Sequence, residues 1–451
     1  MPTGSAGTRL RSAALIVAGL LGTVVLAALT VRSPNLGVAF IGGVALLIAM
    51  YRRPRVALTI WLVTIAFVPT WIGVDVGTFV PAASVIGVVV LVTTLGSRGW
   101  ALSRADLVLV VFIVVGFIAV NAFSSSLSAW IAMITQWLVC YLGAKTVVTQ
   151  TGIGFASKAL VVVLGIVAAL SVIEFLFHWH PYVNLGPDNT SHETWGPIQQ
   201  RGGVDRSEWA FGHAIALGGA LAMAVPFVLG SNMSGPKKAG LTVLIAAAAA
   251  TTFSRAGLAA VALGVLLSLI YERRLARKQK VGLTLLLVVA AAVALPLVGR
   301  VFDAAGDEAT NSSSYRGTLF DLVPSIRILG RSSAALVGGD GSVTYGRFRS
   351  IDSTFLQLGF GFGWIVALAA IVPFFVIAVR LIMKRATTAE TALFAQLPIV
   401  ATVAMITQWQ SLLWVLAGVA VVAAQERKSS LAGQTTIEAN ARTLVRTRAR
   451  A

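Results

Sequence analysis

Uninterrupted apolar stretches of membrane-spanning length recur along almost the whole chain. A helix that crosses a bilayer needs about 20 mainly apolar residues, because each residue adds about 1.5 Å across a hydrocarbon core of about 30 Å. The 451 residues are 57% hydrophobic and only 12% charged, whereas soluble domains carry about 25% charged residues. This pattern excludes a soluble globular protein and a disordered one. It predicts an all-α, polytopic membrane protein.

Apolar windows predict about fourteen transmembrane helices, with twelve as the lower bound. The candidate spans lie at 12–31, 35–50, 56–73, 79–96, 105–123, 127–148, 159–178, 209–230, 239–254, 256–271, 281–299, 354–380, 391–408 and 410–425. Polar stretches divide the chain into an N-terminal helical half (1–178), a loop (179–208), core spans (209–299), a large loop (300–353), C-terminal spans (354–425) and a basic tail (426–451). We expect the tail to be irregular or bound to the membrane surface.

The basic residues predict the orientation of these spans. The chain has 35 Lys and Arg against 17 Asp and Glu, a formal charge of +18. With the N-terminus in the cytoplasm, 25 basic residues fall on the inner side and 10 on the outer side. This bias follows the positive-inside rule and predicts that both termini are cytoplasmic and both large polar loops lie outside. Most of the charge therefore indicates topology and contact with anionic lipids, not a nucleic-acid partner.

The outer basic residues are unusual, because those after residue 200 are all arginines. Guanidinium groups bind phosphate bidentately and stay charged when partly desolvated. Positive charge on this side opposes the topology bias, so a phosphate-bearing ligand in the outer leaflet is one explanation. Ordinary ion pairs with outer Asp and Glu are the other. The nine residues, of which Arg347 and Arg349 are secondary candidates, are Arg201, Arg206, Arg255, Arg300, Arg316, Arg327, Arg331, Arg347 and Arg349.

Five residues near the outer face are candidates for chemistry. His213 follows Arg206 by seven residues, a spacing that places both on one helix face. Arg255 lies in the turn between two short apolar stretches, where an intramembrane charge is costly and suggests function. Asp352 directly precedes the twelfth span and either caps that helix or acts as a general base. Glu174 lies within an apolar span, where it either pairs with an outer arginine or relays protons.

A histidine-rich segment on the outer side raises the question of a metal. His178 and His180 flank Trp179, and His192 precedes Glu193. Zinc sites hold their imidazole ligands in a fixed geometry, whereas these residues flank irregular sequence rich in Pro and Asn. We therefore expect an interfacial aromatic cluster rather than a metal site.

The order of several short motifs resembles the O-antigen ligase and O-antigen polymerase family of bacterial envelope glycan assembly. The resemblance covers about residues 200–380, and the first seven spans match only as hydrophobic helices. The motifs are Arg206 with Gly212-His213, Thr-x-x-Ser-Arg-Ala-Gly from Thr251 to Gly257, Ser-x-Tyr-Arg from Ser313 to Arg316, and Asp-Ser-x-Phe-Leu-Gln-Leu-Gly-x-Gly-x-Gly from Asp352 to Gly363.

This resemblance implies a metal-independent, cofactor-free membrane glycosyltransferase of the C-type superfamily. Its donor is a glycan linked through diphosphate to undecaprenol, its acceptor is a glycan or a lipid, and its location is the bacterial cytoplasmic membrane. The diphosphate-binding roles fall on Arg206, Arg255 and Arg316. The family often has His-Asn where this chain has Asp352-Ser353, so Asp352 takes the position of the base and His213 is the alternative. One base and one displacement imply inversion at the sugar.

A transporter or flippase for lipid-linked oligosaccharides is the main rival function. Carriers place coupling sites near the bilayer midplane, often in inverted repeats. Here the middle of the membrane is nearly free of acidic residues, no inverted repeat is visible, and ionisable residues concentrate at the outer face instead, which favours the transferase. A polymerase of the peptidoglycan type is a third alternative. The motifs fit a ligase and a polymerase equally and leave the donor sugar and the acceptor open.

Overall fold

The computed structural model describes residues 34–75, 78–95, 102–187, 189–272, 274–306, 317–338, 343–348 and 350–448. These residues are mainly helical, which confirms the predicted all-α class. Among them, five helices are long and apolar enough to cross a membrane, namely Arg104–Phe123, Leu127–Thr151, Ile153–Phe177, Trp364–Ile382 and Thr407–Ser430. The chain is therefore a helical protein suited to a lipid bilayer, while the number of fourteen spans stays a prediction.

Sixteen helices of the described residues are numbered in chain order. They are α1 Pro34–Met50, α2 Pro54–Phe67, α3 Ala82–Thr94, α4 Arg104–Phe123, α5 Leu127–Thr151, α6 Ile153–Phe177, α7 Thr190–Trp195, α8 Ala214–Gly230, α9 Gly235–Thr251, α10 Arg255–Tyr271, α11 Arg277–Ala304, α12 Thr354–Phe362, α13 Trp364–Ile382, α14 Thr388–Phe394, α15 Leu397–Thr402 and α16 Thr407–Arg448. Three antiparallel strand pairs also form in the connecting segments: Gly73–Asp75 with Phe79–Pro81, Gln200–Arg201 with Val204–Asp205, and Ala335–Val337 with Val343–Tyr345.

Side chains at the helix starts set several boundaries. Ser103 and Asp106 form a reciprocal capping box at the start of α4. Ser254 accepts a 3.0 Å hydrogen bond from the Gly257 N–H at the start of α10. Thr387 caps α14 in the same way. Such caps satisfy N–H groups that have no partner within the helix, so these sequence signals fix where the helices begin.

Two predicted spans are each divided into two helices. The span 354–380 breaks at Gly363, where φ is 97° and a Cβ would lie 2.7 Å from Leu329 Cα. Only glycine tolerates this conformation and this approach. The span 391–408 separates into α14 and α15, because Pro398 lies in the first turn of α15 and cannot donate to a continuing helix. The predicted span 12–31 lies outside the described residues.

The tail also differs from the prediction. Helix α16 continues through Arg448, so residues 426–448 are helical and the expectation of an irregular tail is wrong there. Thirteen of the 23 residues in this segment are Ala, Arg, Glu, Gln, Leu or Lys, which have high helix propensity.

The central helix α8 is buried along nearly its whole length. It crosses α10 closely, since a Cβ on Gly218 would lie 3.0 Å from Gly257 Cα and the reverse also holds. Small residues permit such close helix contact in membrane proteins. The contact fixes the start of α10 beside the first turn of α8, which is where the motif residues lie.

A buried ion pair joins α4 to α5. Lys145 Nζ bonds to the Asp106 carboxylate, and both side chains are at most 2% exposed. The Tyr141 hydroxyl donates a second bond of 2.7 Å to Asp106. Charges removed from water need partners of this kind, so the three residues are an interdependent unit.

Segments that the hydropathy pattern assigns to the same side of the membrane lie together. At the predicted outer end, the Ser207 N–H bonds to the Thr251 carbonyl at 3.1 Å. At the predicted inner end, Arg274 Nη1 bonds to the Gly230 carbonyl at 3.1 Å. Helices α8, α9 and α10 thus alternate in direction as the sequence predicts. Which end faces the cytoplasm stays a prediction.

Candidate functional site at the predicted outer end

The segment before α8 and the turn before α10 are joined by arginine side chains. Arg206 Nε donates to the Thr252 carbonyl at 2.7 Å. Arg201 Nη1 donates to the Phe253 carbonyl at 2.8 Å. Arg255 follows directly as the first residue of α10. Two of the three predicted diphosphate ligands, Arg206 and Arg255, therefore lie in one loop cluster, and Arg201 joins them.

These arginines differ in exposure. Arg206 is only 6% exposed, whereas Arg201 is half-buried and Arg255 is exposed. The guanidinium carbons of Arg255 and Arg201 lie 4.6 Å and 5.3 Å from the centroid of the Phe302 ring. An aromatic ring attracts both cations and holds them near each other. Arg201 and Arg255 are therefore the more accessible arginines of this cluster, whereas the buried Arg206 holds the 251–255 turn.

Helix N-termini add positive potential at the same end. His213 is the N-cap of α8, Arg255 begins α10, and Asp352 immediately precedes the N-cap Ser353 of α12. A helix N-terminus presents free N–H groups and a partial positive charge, which favour bound anions. Three of the predicted site residues thus lie at or directly before a helix N-terminus, although they come from separate parts of the sequence.

Asp352 is not the cap of the helix that follows it. Ser353 Oγ accepts the bond from the Leu356 N–H at 3.4 Å, so the alternative in which Asp352 caps α12 is wrong. The Asp352 carboxylate is half-buried and accepts a bond from Ser350 Oγ at 3.5 Å. A carboxylate that is not committed to a cap keeps its capacity to accept a proton.

The remaining arginine candidates fall at the loop 300–353. Arg347 is exposed, and its guanidinium carbon lies 5.3 Å from the centroid of the Phe348 ring. Arg316 and Arg349 lie outside the described residues, so their predicted phosphate-binding roles stay predictions.

Two buried carboxylates lie beside the arginine cluster. Glu174, near the end of α6, accepts bonds from the Trp209 N–H at 2.9 Å and 3.2 Å and contacts His180 Nδ1 at 3.1 Å. Glu208 accepts a bond from the Gln199 N–H at 3.1 Å. Each is 1% exposed. The bonds of Glu174 run to Trp209 and His180, and not to an outer arginine of the described residues as one interpretation expected.

The two carboxylates line a small cavity of about 10 Å³, which is room for about one water molecule. Trp71, Trp195 and Trp209 form part of its wall. Sequence reasoning missed Glu208 as a site residue. The available signal was its position two residues after Arg206 and directly before the start of the predicted span.

Two groups of this cluster have raised pKa values. Burial raises the pKa of Glu208 to about 8, against the opposing effects of the Gln199 N–H and the Arg206 charge. The hydrogen bond to Glu174 raises the pKa of His180, against the cost of burying the charged ring. Both shifts favour the protonated form, so Glu208 and His180 hold their protons to a higher pH than the free side chains do. Perturbed groups of this kind cluster at functional sites.

His213 serves the fold directly. Its Nδ1 accepts a bond from the Ile215 N–H at 3.1 Å and so caps α8. A neutral imidazole whose Nδ1 accepts carries its proton on Nε2. His213 must release this cap before its Nδ1 accepts a proton.

Aromatic residues surround the histidines on this side. Trp209 packs against Phe67, Trp179 and Tyr182 with ring centroids 6.0, 6.0 and 5.1 Å apart. The rings of His192 and Trp71 lie 5.3 Å apart. In the described part of the chain, no group of three His, Cys, Asp or Glu residues is placed to hold a metal ion. The aromatic cluster predicted from the sequence is present.

Comparison of the chain with protein-family models, with curated proteins and with solved structures gives no match. The function is therefore inferred from the geometry of the site and from the order of the sequence motifs. The site itself combines arginines, helix N-termini and two buried carboxyl groups at one end of the helical bundle.

The raised pKa of Glu208 predicts a pH-dependent stability. An ordinary Glu has a pKa of about 4.3, so between about pH 4.3 and pH 8 the folded protein keeps a proton that the unfolded chain loses. The free energy of unfolding then falls as the pH rises through this window and levels off above it. Glu208→Gln stays neutral at every pH and is expected to have a flatter profile and a higher Tm at pH 8.

Thermal unfolding of the detergent-solubilised protein, followed by the emission of its 11 tryptophans, measures this profile. His180 contributes a residual slope of the same sign, because its raised pKa stabilises the fold at low pH and the effect is lost as pH rises. The exposed Glu193, in the same loop, supplies the control Glu193→Gln, which is expected to keep the wild-type slope. An unchanged slope in Glu208→Gln would contradict the assignment.

Proposed function

We propose that this protein is a membrane glycosyltransferase acting on a polyprenyl-diphosphate-linked oligosaccharide at the outer face of the bacterial cytoplasmic membrane. The observation that carries the proposal is the pair of a half-buried Arg201 and an exposed Arg255 on the Phe302 ring, beside the N-terminus of α10. The motif order that resembles O-antigen ligases and polymerases gives independent support. Transfer to an acceptor and polymerisation use the same site chemistry in this proposal.

The arginine pair suits the leaving group of such a reaction. The anomeric carbon of the donor already bears a diphosphate, which departs readily when its charge is neutralised. Two guanidinium groups and the positive end of a helix supply that neutralisation without any rearrangement during the reaction. In this mechanism Arg201 and Arg255 contact the diphosphate, Arg206 holds the 251–255 turn in place, and Arg316 is a further ligand.

The acceptor hydroxyl is the nucleophile in this proposal. Its oxygen attacks the anomeric carbon, the bond from that carbon to the diphosphate oxygen breaks, and polyprenyl diphosphate leaves. The hydroxyl proton passes to a general base, for which Asp352 is our candidate and His213 the alternative. A single displacement inverts the configuration at the sugar. No metal or other cofactor takes part in the proposed step.

Substitutions that preserve shape separate the two candidate bases. Asp352→Asn removes the proton acceptor and is expected to lower kcat by about 100-fold or more. His213→Asn keeps a side chain that caps helices well, so it is expected to keep both the fold and most of the activity. Steady-state transfer with the purified protein measures both variants. Loss of activity in a normally folded His213→Asn, with Asp352→Asn active, would reverse the assignment.

The same purified protein distinguishes transfer from transport. In detergent, with polyprenyl-diphosphate oligosaccharide and acceptor but no membrane compartments, a transferase forms a longer or newly attached glycan. A flippase produces no new bond in detergent and moves the donor only across a sealed vesicle. Product analysis by mass spectrometry gives the first outcome if the proposal is right. Movement without bond formation would replace it with the transport function.

A further inference from the structure

A second cavity lies at the opposite end of the bundle from the candidate site. It is formed by the N-terminal part of α6, the C-terminal parts of α8 and α10, residues 384–391 and α16. We call it the inner cavity, since the charge bias places this end in the cytoplasm. Its volume is about 980 Å³, at the upper end of the range of about 300–1,000 Å³ found for ligand pockets.

Basic side chains predominate among the charged residues of its wall. Four basic and two acidic residues line it: Lys158, Arg274, Lys384, Arg427, Glu272 and Glu426. One of the acids is already engaged within the protein. Glu272 accepts bonds from the Arg274 N–H at 3.1 Å and the Thr388 hydroxyl at 3.3 Å. The wall therefore presents an excess of positive charge.

Two of the basic groups are held in place by uncharged acceptors. Arg274 Nη1 bonds to the Gly230 carbonyl at 3.1 Å, and Arg427 Nη1 bonds to the Ala386 carbonyl at 2.8 Å. A carbonyl orients a guanidinium without cancelling its charge, and the planar group keeps further N–H donors for a phosphate. Lys158 and Lys384 are exposed at the same cavity.

The rest of the wall is apolar and reaches the surface of the bundle. Val161, Phe227 and Leu267 line the cavity, and so does Val162, which is 50% exposed. Exposed apolar side chains continue along α10 beside it, as at Ile270, which is 55% exposed. The cavity thus joins a basic region to an apolar surface of the kind that acyl chains cover.

From this arrangement we infer that the inner cavity binds an anionic phospholipid of the adjacent leaflet. The phosphate group lies among Lys158, Arg274, Lys384 and Arg427, and the acyl chains leave past Val162. Basic pockets between membrane helices attract anionic headgroups, and each Lys or Arg in the pocket strengthens the attraction. This lipid is separate from the glycan donor of the proposed function, whose site lies at the other end.

Binding of phosphatidylglycerol to the full-length protein tests the inference. Native mass spectrometry in detergent, at increasing lipid concentration, gives the Kd. Lys158→Gln with Lys384→Gln removes two charges from exposed positions and is expected to raise the Kd about tenfold. Val162→Trp keeps the charges and narrows the apolar exit, so it is also expected to weaken binding. The matched control Arg277→Gln with Lys278→Gln removes two charges from the first turn of α11, outside the cavity wall, and is expected to leave the Kd within about twofold.

Further ligands identify what the cavity selects. Phosphatidylcholine with the same chains is expected to bind more weakly, because it carries no net negative charge. Glycerophosphoglycerol, the headgroup without chains, is also expected to bind more weakly. Equal weakening by the cavity variant and the control would show simple surface attraction and overturn the inference. An unchanged Kd in Lys158→Gln with Lys384→Gln and in Val162→Trp would also overturn the inference. The same holds if the free headgroup binds as tightly as the lipid.

Discussion

The double variant Arg201→Gln with Arg255→Gln is expected to lose about 100- to 1,000-fold in kcat for glycan transfer, the loss typical of removing a transition-state charge partner. Both guanidinium groups lie on the Phe302 ring at the start of α10. Glutamine keeps hydrogen-bonding capacity but no charge, so the departing diphosphate loses its neutralising partners. Because the interaction strengthens as the bond to the sugar breaks, kcat is expected to fall more than KM rises.

The control for this experiment is Arg327→Gln. Arg327 is an exposed arginine of the same outer side, and removing it lowers the net charge without touching the Phe302 pair. It is expected to retain nearly full activity. Quantified transfer with radiolabelled donor, on protein shown to be inserted and monodisperse, gives the comparison. Full activity in the double variant would contradict the proposed diphosphate site, whereas equal loss in the control would indicate a general effect of surface charge.

Lys145→Met is expected to lower the free energy of unfolding by about 3–5 kcal/mol, the cost of leaving one member of a buried ion pair without its partner. Lys145 and Asp106 are at most 2% exposed and bond to each other between α4 and α5. Methionine fills the space of the lysine stem, so the change tests the charge rather than the packing. Tyr141 still donates its hydroxyl to Asp106 but supplies no positive charge.

The partner substitution completes this test. Asp106→Asn keeps one acceptor oxygen, which serves the Ser103 N–H, and its amide N–H can donate to the Tyr141 hydroxyl oxygen. The double variant Asp106→Asn with Lys145→Met contains no buried charge at this site. The double variant is expected to recover most of the lost stability. Its free energy of unfolding should lie within about 1–2 kcal/mol of the wild-type value, because replacing both members of a buried pair leaves no uncompensated charge. Unfolding in mixed detergent micelles measures the cycle. Lys278→Met, at an exposed position, is the control, and additive losses in the double variant would show that the two residues act separately.

The sequence predicts the helices well because one strong property defines them. Apolar stretches such as 105–123 and 256–271 correspond closely to α4 and α10. Their interruptions are harder to predict, since the break at Gly363 depends on the Leu329 backbone, which is distant in sequence. A hydropathy window measures local composition only and carries no information about that contact. The helix in the tail was not predicted, because a hydropathy window detects apolar segments and not helix propensity.

The candidate site was predicted in part. The all-arginine set drew attention to Arg206 and Arg255, and the structure places both in one loop cluster. Their different exposures depend on tertiary packing and could not be read from the sequence. The same holds for Glu208, whose raised pKa arises from burial and from neighbours contributed by another helix. The inner cavity has no sequence signal, because its wall comes from five separated segments.

One buried side-chain amide links helix α16 to two segments that are made earlier in the chain. Gln408, 2% exposed in the first turn of α16, donates to the Val68 carbonyl at 2.6 Å and to the Ala210 carbonyl at 2.7 Å. It thereby fastens the end of α2 and the Trp209–Phe211 turn, which lies directly after Glu208. Since a ribosome makes α16 after α2 and after the Trp209–Phe211 turn, these two bonds form only once α16 has inserted. A chain that stops before α16 would contain every motif residue but would lack both of these bonds.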